Sequence, residues 1–242
     1  MKFLFILWSA CACAQSGIEV PAVGTMIDSS GAMRPVQGVA GNFWLGPVTA
    51  SGVLSAACSE RLCLAKTDSK ILSATGETDA PPGPAIFGLS DHDGVVFFSE
   101  TGTFARWHGD TLDPLDWTVN GEVLSIRLRG AETDIAVRRR DRRNGSVSIV
   151  RPDGSVVDWV AATSGPVLLL KDGVLFATGN ELVLRRQDAS ETRFEFTGAE
   201  SITAMSPHYA AIRASGATYA LRTESGRESL FLLPANPPAN PK

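Results

Sequence analysis

Short apolar runs recur along this chain at a near-constant interval. "AIFGLS" (85–90), "EVLSIRL" (122–128), "PVLLLK" (166–171) and "SITAMS" (201–206) each open a group, and "NFWLG" (42–46) opens an earlier one. "KILSATG", "LDWTV", "VVDWV", "TRFEFTG" and "SLFLLP" close the groups. Val, Ile, Leu, Phe and Trp dominate, residues that suit a pleated surface. Apolar positions rarely recur at three- and four-residue spacing for long enough to make a helix. Asp93-Gly94, Asn144-Gly145, Asp153-Gly154 and Asp172-Gly173 divide the runs, and such dipeptides supply the positive φ that tight hairpins need. Four strands repeating every 35–45 residues or so is the pattern of a β-propeller. One blade cannot bury both of its faces, whereas a ring of blades can. "PVLLLK" and "AIFGLS" are apolar on both faces, as a sandwiched strand must be.

The fold expected is therefore all-β. Five full four-stranded blades fall at 39–78, 83–119, 120–161, 162–198 and 199–234. "TMIDSSGAMRPVQG" (25–38) is a further strand–turn–strand unit, either fastening the ring against the last blade or forming part of a sixth. The competing architecture is a β-sandwich or an open two-sheet fold. The propeller forms a single domain over 24–234, followed by a Pro- and Asn-rich tail over 235–242 with too little apolar surface to order itself. Hydrophobic content of 44% with 20% charged residues fits a globular chain and excludes wholesale disorder.

The chain begins "MKFLFILWSACACAQSG". Lys2 precedes an apolar run, and Ala12-Cys13-Ala14 fits a small-x-small cleavage site, so 1–14 reads as a secretory signal peptide. The run is shorter than the roughly 20 apolar residues a spanning helix needs, and no later stretch is long enough. Cys11 or Cys13 is a candidate for lipidation on a minority reading. The expected location is periplasmic or extracellular.

Cleavage would leave Cys58 and Cys63 in "SAACSERLCLAK". With Glu60-Arg61 as a two-residue turn, the two cysteines face each other across a hairpin in a non-hydrogen-bonded pair, where strands come closest. That spacing suits a disulfide, and export permits oxidation. Two buried free thiols are the alternative. No nearby Cys or His completes a tetrahedral metal site.

"IDSSGAMRPVQGVAGNFWLG" (27–46) and "YALRTESGRESLFLLPA" (219–235), through Arg34-Pro35, Gly38, Gly41 and Gly46, resemble the two ends of a group of uncharacterised exported bacterial repeat propellers, placed loosely among WD40-like and YVTN-like propellers. Ala40 stands where such proteins commonly have proline. The resemblance implies a propeller and export, and it brings no catalytic residues.

Chemistry-bearing patterns are sparse. His92 in "LSDHDG" and His208 in "MSPHYA" occupy equivalent turns. Asp91, His92 and Asp93 read as an Asp-rich turn bonding its own backbone rather than a metal site. Trp117 and Trp159 end equivalent fourth strands and are expected to pack between blades. Trp107, beside Arg106 and His108, is the tryptophan expected at the surface as a binding residue. Five-bladed propeller glycosidases need two carboxylates about 5–9.5 Å apart, and Glu122 is the one acid placed for such a role. No nucleophile elbow, phosphate loop or dinucleotide fingerprint occurs, so no cofactor is expected.

Arg138, Arg139, Arg140, Arg142 and Arg143 crowd "VRRRDRRNG" in a chain of net charge −4. A mildly acidic protein is not a general nucleic-acid binder. The run is expected to leave its blade as a loop between second and third strands, on the face carrying the links between blades, with Cys58–Cys63 on that face too. It reads as a solvated hairpin tip or, failing that, as a binding element. The leading expectation is a monomeric, non-catalytic exported propeller that binds a protein or an envelope polymer; the alternative is an enzyme acting on extracellular polysaccharide.

Overall fold

The computed structural model describes residues 21–139, 146–160 and 165–235, and every regular element within them is a β-strand. They form six antiparallel sheets arranged as the blades of a β-propeller. Blade 1 holds β1 (Ala22–Ile27), β2 (Met33–Val39) and β3 (Asn42–Leu45); blade 2 holds β4 (Ser55–Cys58), β5 (Cys63–Lys66), β6 (Lys70–Leu72) and β7 (Glu77–Asp79). Blade 3 is β8 (Ala85–Leu89), β9 (Asp93–Phe98), β10 (Thr103–His108) and β11 (Thr111–Leu115). Blade 4 is β12 (Glu122–Arg129), β13 (Glu132–Arg138), β14 (Val147–Val150) and β15 (Val156–Val160). Blade 5 is β16 (Val167–Leu170), β17 (Gly173–Thr178), β18 (Glu181–Arg186) and β19 (Glu191–Glu195). Blade 6 is β20 (Ala199–Ser206), β21 (Tyr209–Ala214), β22 (Ala217–Arg222) and β23 (Ser229–Leu232). The first strands of the blades contact one another around the central axis.

The blade expected at 39–78 is corrected. "NFWL" does not open that blade; it is β3, the third strand of blade 1. A two-residue turn at Ala40-Gly41, with Gly41 at φ 85°, folds it back on β2 so that Val39 faces Asn42. Blade 2 begins only at Ser55, after a link that keeps Met33 bonded to Ala50 and Val53 bonded to Gly31. Strand-like composition alone could not tell a third strand from the first strand of the next blade.

Two of the turn signals also move. The β8–β9 loop is Asp91-His92 and the β16–β17 loop is Lys171-Asp172, so Gly94 and Gly173 lie within strands. Their missing side chains serve close approach. A Cβ on Gly173 would lie 2.3 Å from the Arg185 carbonyl oxygen, and one on Gly94 would lie 2.7 Å from the Leu89 side chain.

Packing between blades explains the alternation along each strand. The blade 2–3 seam buries Leu64, Ile71, Phe87 and Trp107; the blade 3–4 seam buries Phe97, Phe104, Ile126 and Ile135. Val147, Ile149, Leu169 and Phe176 fill the next seam; Leu175, Leu184, Ile202 and Ile212 fill the one after it. Blade 6 closes on blade 1 through Met205, Ala220, Leu233, Met26 and Val36, with Phe43 edge-on to Tyr209 and Phe231. These five clusters serve six seams; among the described residues none spans blades 1 and 2. Val39 and Trp44 of blade 1 and Leu54 of the link to blade 2 remain exposed.

Candidate functional site

Because the first strands are innermost, their ends define two mouths of the central channel. The first–second hairpins rim one mouth, and a cavity of about 540 Å3 opens there. Its wall is built from strand ends of blades 2 to 6: Ala57–Glu60, Leu89–Asp91, Ile126–Gly130, Leu168–Lys171, and Ala204 with Ser206 and Pro207. Gly88 lets β8 and β12 approach, since a Cβ there would lie 2.5 Å from the Ile126 side chain. The starts of β12, β16 and β20 line a second cavity of about 370 Å3 at the opposite mouth, with Glu122, Arg138 and Glu200 on its wall.

The Cys58 and Cys63 sulfurs are bonded in the structure, and their Cα atoms are 4.1 Å apart in a directly opposed pair. Ser59 donates its N–H to Leu62 O at 2.8 Å, which fixes the two-residue turn at Glu60-Arg61. The position expected for this hairpin is corrected. Ser55–Cys58 is the first strand of its blade, so the hairpin rims the 540 Å3 cavity, on the face opposite the blade-to-blade links.

Arg127, Arg129 and Asp134 were not legible as a unit from composition. The two-residue loop Gly130-Ala131 places Arg127 directly across from Asp134. Arg127 donates from Nε (3.1 Å) and Nη2 (2.7 Å) to Asp134 Oδ2, and from Nη1 to the carbonyls of Leu170 (2.8 Å) and Gly173 (3.0 Å). It thereby joins blade 4 to blade 5. Arg129 reaches the same Oδ2 at 2.8 Å. Two guanidiniums thus share one buried carboxylate, while Arg129 Nε, Asp134 Oδ1 and Ser206 Oγ are buried with no hydrogen-bond partner among the described residues. The sequence signal was "IRLRG": two arginines at i and i+2 alternating with Ile126 and Leu128 at the end of a first strand.

The remaining expected residues fall elsewhere. Arg138 ends β13, so the strand continues through it, and its guanidinium contacts Glu122 at 3.1 Å and Gly165 O at 2.5 Å. Arg139 is half-buried, and Arg140, Arg142 and Arg143 lie outside the described residues. Glu122 stands at the opposite mouth, paired with Arg138; Glu200 accepts the N–H of Ser215 at 3.0 Å.

The expected exposure of Trp107 is corrected: it is 2% exposed, its ring enclosed between blades 2 and 3 by Leu64, Ile71 and Phe87. A third strand is central in its blade, and its alternate residues face a neighbouring blade whatever polar residues flank them. Trp117 packs on Phe104 with ring centroids 5.7 Å apart, but Trp159 is 60% exposed. The two equivalent fourth strands therefore differ. Fourth strands lie at the rim, where neighbouring blades diverge.

His92 and His208 both lie in first–second turns. Among the described residues no three His, Cys, Asp or Glu side chains gather to hold an ion. Lys66 is fully buried and donates to the carbonyls of Thr67 (2.6 Å) and Asp68 (2.7 Å); burial draws its ammonium below the usual lysine range. No helix among the described residues is long and apolar enough to cross a membrane.

No protein-family model matches the chain, and no curated protein matches its sequence. Solved structures are similar in fold. A Bacteroides caccae protein of unknown function superposes with a TM-score of 0.52 at 12% identity, over 90% of this chain and 100% of its own. Virginiamycin B lyase from Staphylococcus aureus gives 0.48 at 12% identity, over 90% of this chain and 85% of that one. AztD from Citrobacter koseri gives 0.46 at 12% identity, over 89% and 70%. At these identities the likeness is one of fold alone, and fold alone does not fix function. The chain is a β-propeller.

Proposed function

We propose that this chain is an exported, non-catalytic propeller that acts as a binding scaffold in the cell envelope or outside the cell, and that it takes its ligand at the hairpin-rimmed mouth of the channel. One observation carries the reading. Five blades contribute strand ends to one cavity of about 540 Å3, within the range of about 300–1,000 Å3 of small-ligand sites, and the buried ionic groups of its wall brace blades instead of standing free. The leader "MKFLFILWSACACAQSG" and the Cys58–Cys63 bond support export, since disulfides persist in oxidising compartments. The partner is a protein or an envelope polymer, with no nucleic acid, and the scaffold works as a monomer. The arginine run is read as a solvated tip.

An enzyme acting on polysaccharide would need two carboxylates about 5–9.5 Å apart. Glu122, the acid expected for that role, is ion-paired with Arg138, and Glu200 beside it accepts a backbone N–H, so the opposite mouth does not support that reading.

The test is capture of material from the native envelope on immobilised protein, comparing the wild type with Ala204→Trp, which fills the cavity, and with serine at the five arginines. Loss of capture with Ala204→Trp and retention with the serine variant is expected. Undiminished capture by a folded Ala204→Trp protein overturns the reading.

A further inference from the structure

Blade 1 is one strand short. The other five blades each carry a fourth strand on their third, whereas β3 is paired with β2 alone. The register shows which backbone groups this leaves open. Gly46 donates its N–H to Pro35 O at 2.8 Å, and Trp44 and Asn42 stand opposite Gln37 and Val39. Antiparallel pairs alternate between bonded and non-bonded. The N–H and C=O of Asn42 and Trp44 therefore point to β2, and those of Phe43 and Leu45 point away from it. Among the described residues no hydrogen bond reaches those four outward groups.

The side chains beside this edge are apolar. Phe43 and Leu45 lie half-buried on the side turned to blade 6, where Phe43 is edge-on to Phe231. On the other side Trp44, its Nε1 on Gln37 Oε1 at 3.0 Å, is exposed, as is Val39. Two free donors and two free acceptors in a row, flanked by apolar side chains, are what an added strand pairs with.

We propose that the free edge of β3 binds an extended segment of another protein, which joins blade 1 as its fourth strand. This site is separate from the mouth of the channel, so the two readings stand or fall apart. The added segment carries apolar side chains at alternate positions, beside Phe43 and Leu45. It has no proline there, because each of those positions must give an N–H to β3. The chain's own ends do not fit. In 234–241 every pair of alternate positions includes a proline. On the export reading six residues, 15–20, precede Pro21, whose carbonyl accepts the N–H of Gly38 on the β1 side of β2. Reaching the far side of β3 from there crosses three strand spacings, about 14 Å. That takes about four residues and leaves too few to face both Phe43 and Leu45. A second copy would pair one four-residue strand with another, a contact below the roughly 1,200 Å2 of a stable interface.

The probe is the fourth strand of blade 5, the hexapeptide ETRFEF (191–196), acetylated and amidated at its ends. In its own blade Phe194 stands opposite Leu182, and Phe196 donates its N–H to Asn180 O at 2.8 Å. The peptide is titrated into the whole 15N-labelled protein and followed at the amides of Phe43 and Leu45. In the free protein those two amides are expected to exchange with solvent about tenfold or more faster than that of Trp44, and saturating peptide slows them. N-methylation of both phenylalanines abolishes binding, because their N–H groups face β3. N-methylation of the arginine and the glutamate after the first phenylalanine leaves binding unchanged, because those N–H groups face solvent. Leu45→Pro removes one outward donor, keeps every bond to β2 and weakens binding about tenfold. If that variant fails to fold, the two methylated peptides on the wild type decide. Equal binding of the two methylated peptides, no saturable binding of the parent peptide, or slow exchange at Phe43 and Leu45 before peptide is added overturns the proposal. So does a dimer in sedimentation that Leu45→Pro dissolves, which gives the edge to a second copy.

Discussion

Asp28 gives a test of how blade 1 is held. It is buried in the β1–β2 hairpin, where Oδ1 accepts from Ser30 N (2.8 Å), Ser30 Oγ (2.6 Å) and Ala32 N (3.0 Å), and Oδ2 accepts from Arg34 Nε (2.9 Å). Arg34 passes the connection on to Gly46 O at 3.1 Å, beyond β3. Burial pushes this carboxyl up, but the bonds from Ser30, Arg34 and Ala32 outweigh it and hold the pKa at about 2 against an ordinary 3.8. At about 1.4 kcal/mol per pH unit that depression amounts to about 2 kcal/mol of folding stability. The folded pKa is lowered, so the contribution is present above the unfolded value and is lost as pH falls from about 4 to about 2. Asp28→Asn keeps an acceptor for Ser30 and Ala32 but removes the charge facing Arg34. It should cost about 2 kcal/mol at pH 7, or about 4–8 °C in melting temperature for a chain of this size. Urea unfolding followed by tryptophan fluorescence at pH 7, 4, 3 and 2.5 should show the gap between wild type and variant closing over the last three. A gap that stays constant down to pH 2.5, or none at pH 7, refutes the assignment of the stability to the ionised carboxylate.

Two further outcomes follow from the same reasoning. Asp134→Ala leaves Arg127 buried without its counter-ion and should cost about 3–5 kcal/mol in urea unfolding; Arg127→Met with Asp134→Leu should recover part of that, since the buried Arg127 pair is replaced by apolar residues while Arg129, a third exposed, loses its carboxylate partner. A double variant as unstable as Asp134→Ala would show that the Leu170 and Gly173 contacts, not charge compensation, dominate. Cys58→Ala with Cys63→Ala should cost about 2 kcal/mol, the chain-entropy value for so short a loop, read from the urea midpoint of the variant against the oxidised wild type.

What could be read from the chain followed how each feature is encoded. The repeat of apolar runs carried the propeller and most blade boundaries, because strands buried on both faces must be apolar on both. The start of blade 2 was illegible. β3 and a first strand have the same composition, and only the ladder partner distinguishes them. Trp107 misled because Arg106 and His108 flank it, yet neighbours in a strand point to opposite faces; both are exposed or at the strand end while the indole is enclosed. The cavity's charged groups were missed for a related reason. Glu60, Asp91, Arg129, Lys171 and Ser206 are spread over nearly 150 positions of sequence, and only the ring brings them to one mouth. The Arg127–Asp134 pair was within reach, because a two-residue loop at Gly130-Ala131 fixes the register.

The seam between blades 1 and 2 joins these observations. Every other seam is filled by a hydrophobic cluster, whereas here the link between the blades is tied to blade 1 by Val53 N to Gly31 O at 2.9 Å, Met33 N to Ala50 O at 2.8 Å and Thr49 N to Met33 O at 2.9 Å, and to blade 2 by Leu54 N to Lys66 O at 2.7 Å. The Asp28–Arg34–Gly46 relay lies in the same blade, beside those bonds. On the other side, Cys58 and Cys63 alternate with Ala57 and Leu64, which face blade 3, so the disulfide lies on the side of blade 2 turned toward blade 1. Directional and covalent links thus stand where apolar burial is thin. Such links hold a ring at one geometry while adding less to its stability than a packed cluster would. Blade 1 is therefore the part of the ring whose closure depends most on the ionisation of Asp28, and the Cys58–Cys63 hairpin that rims the cavity borders that same seam.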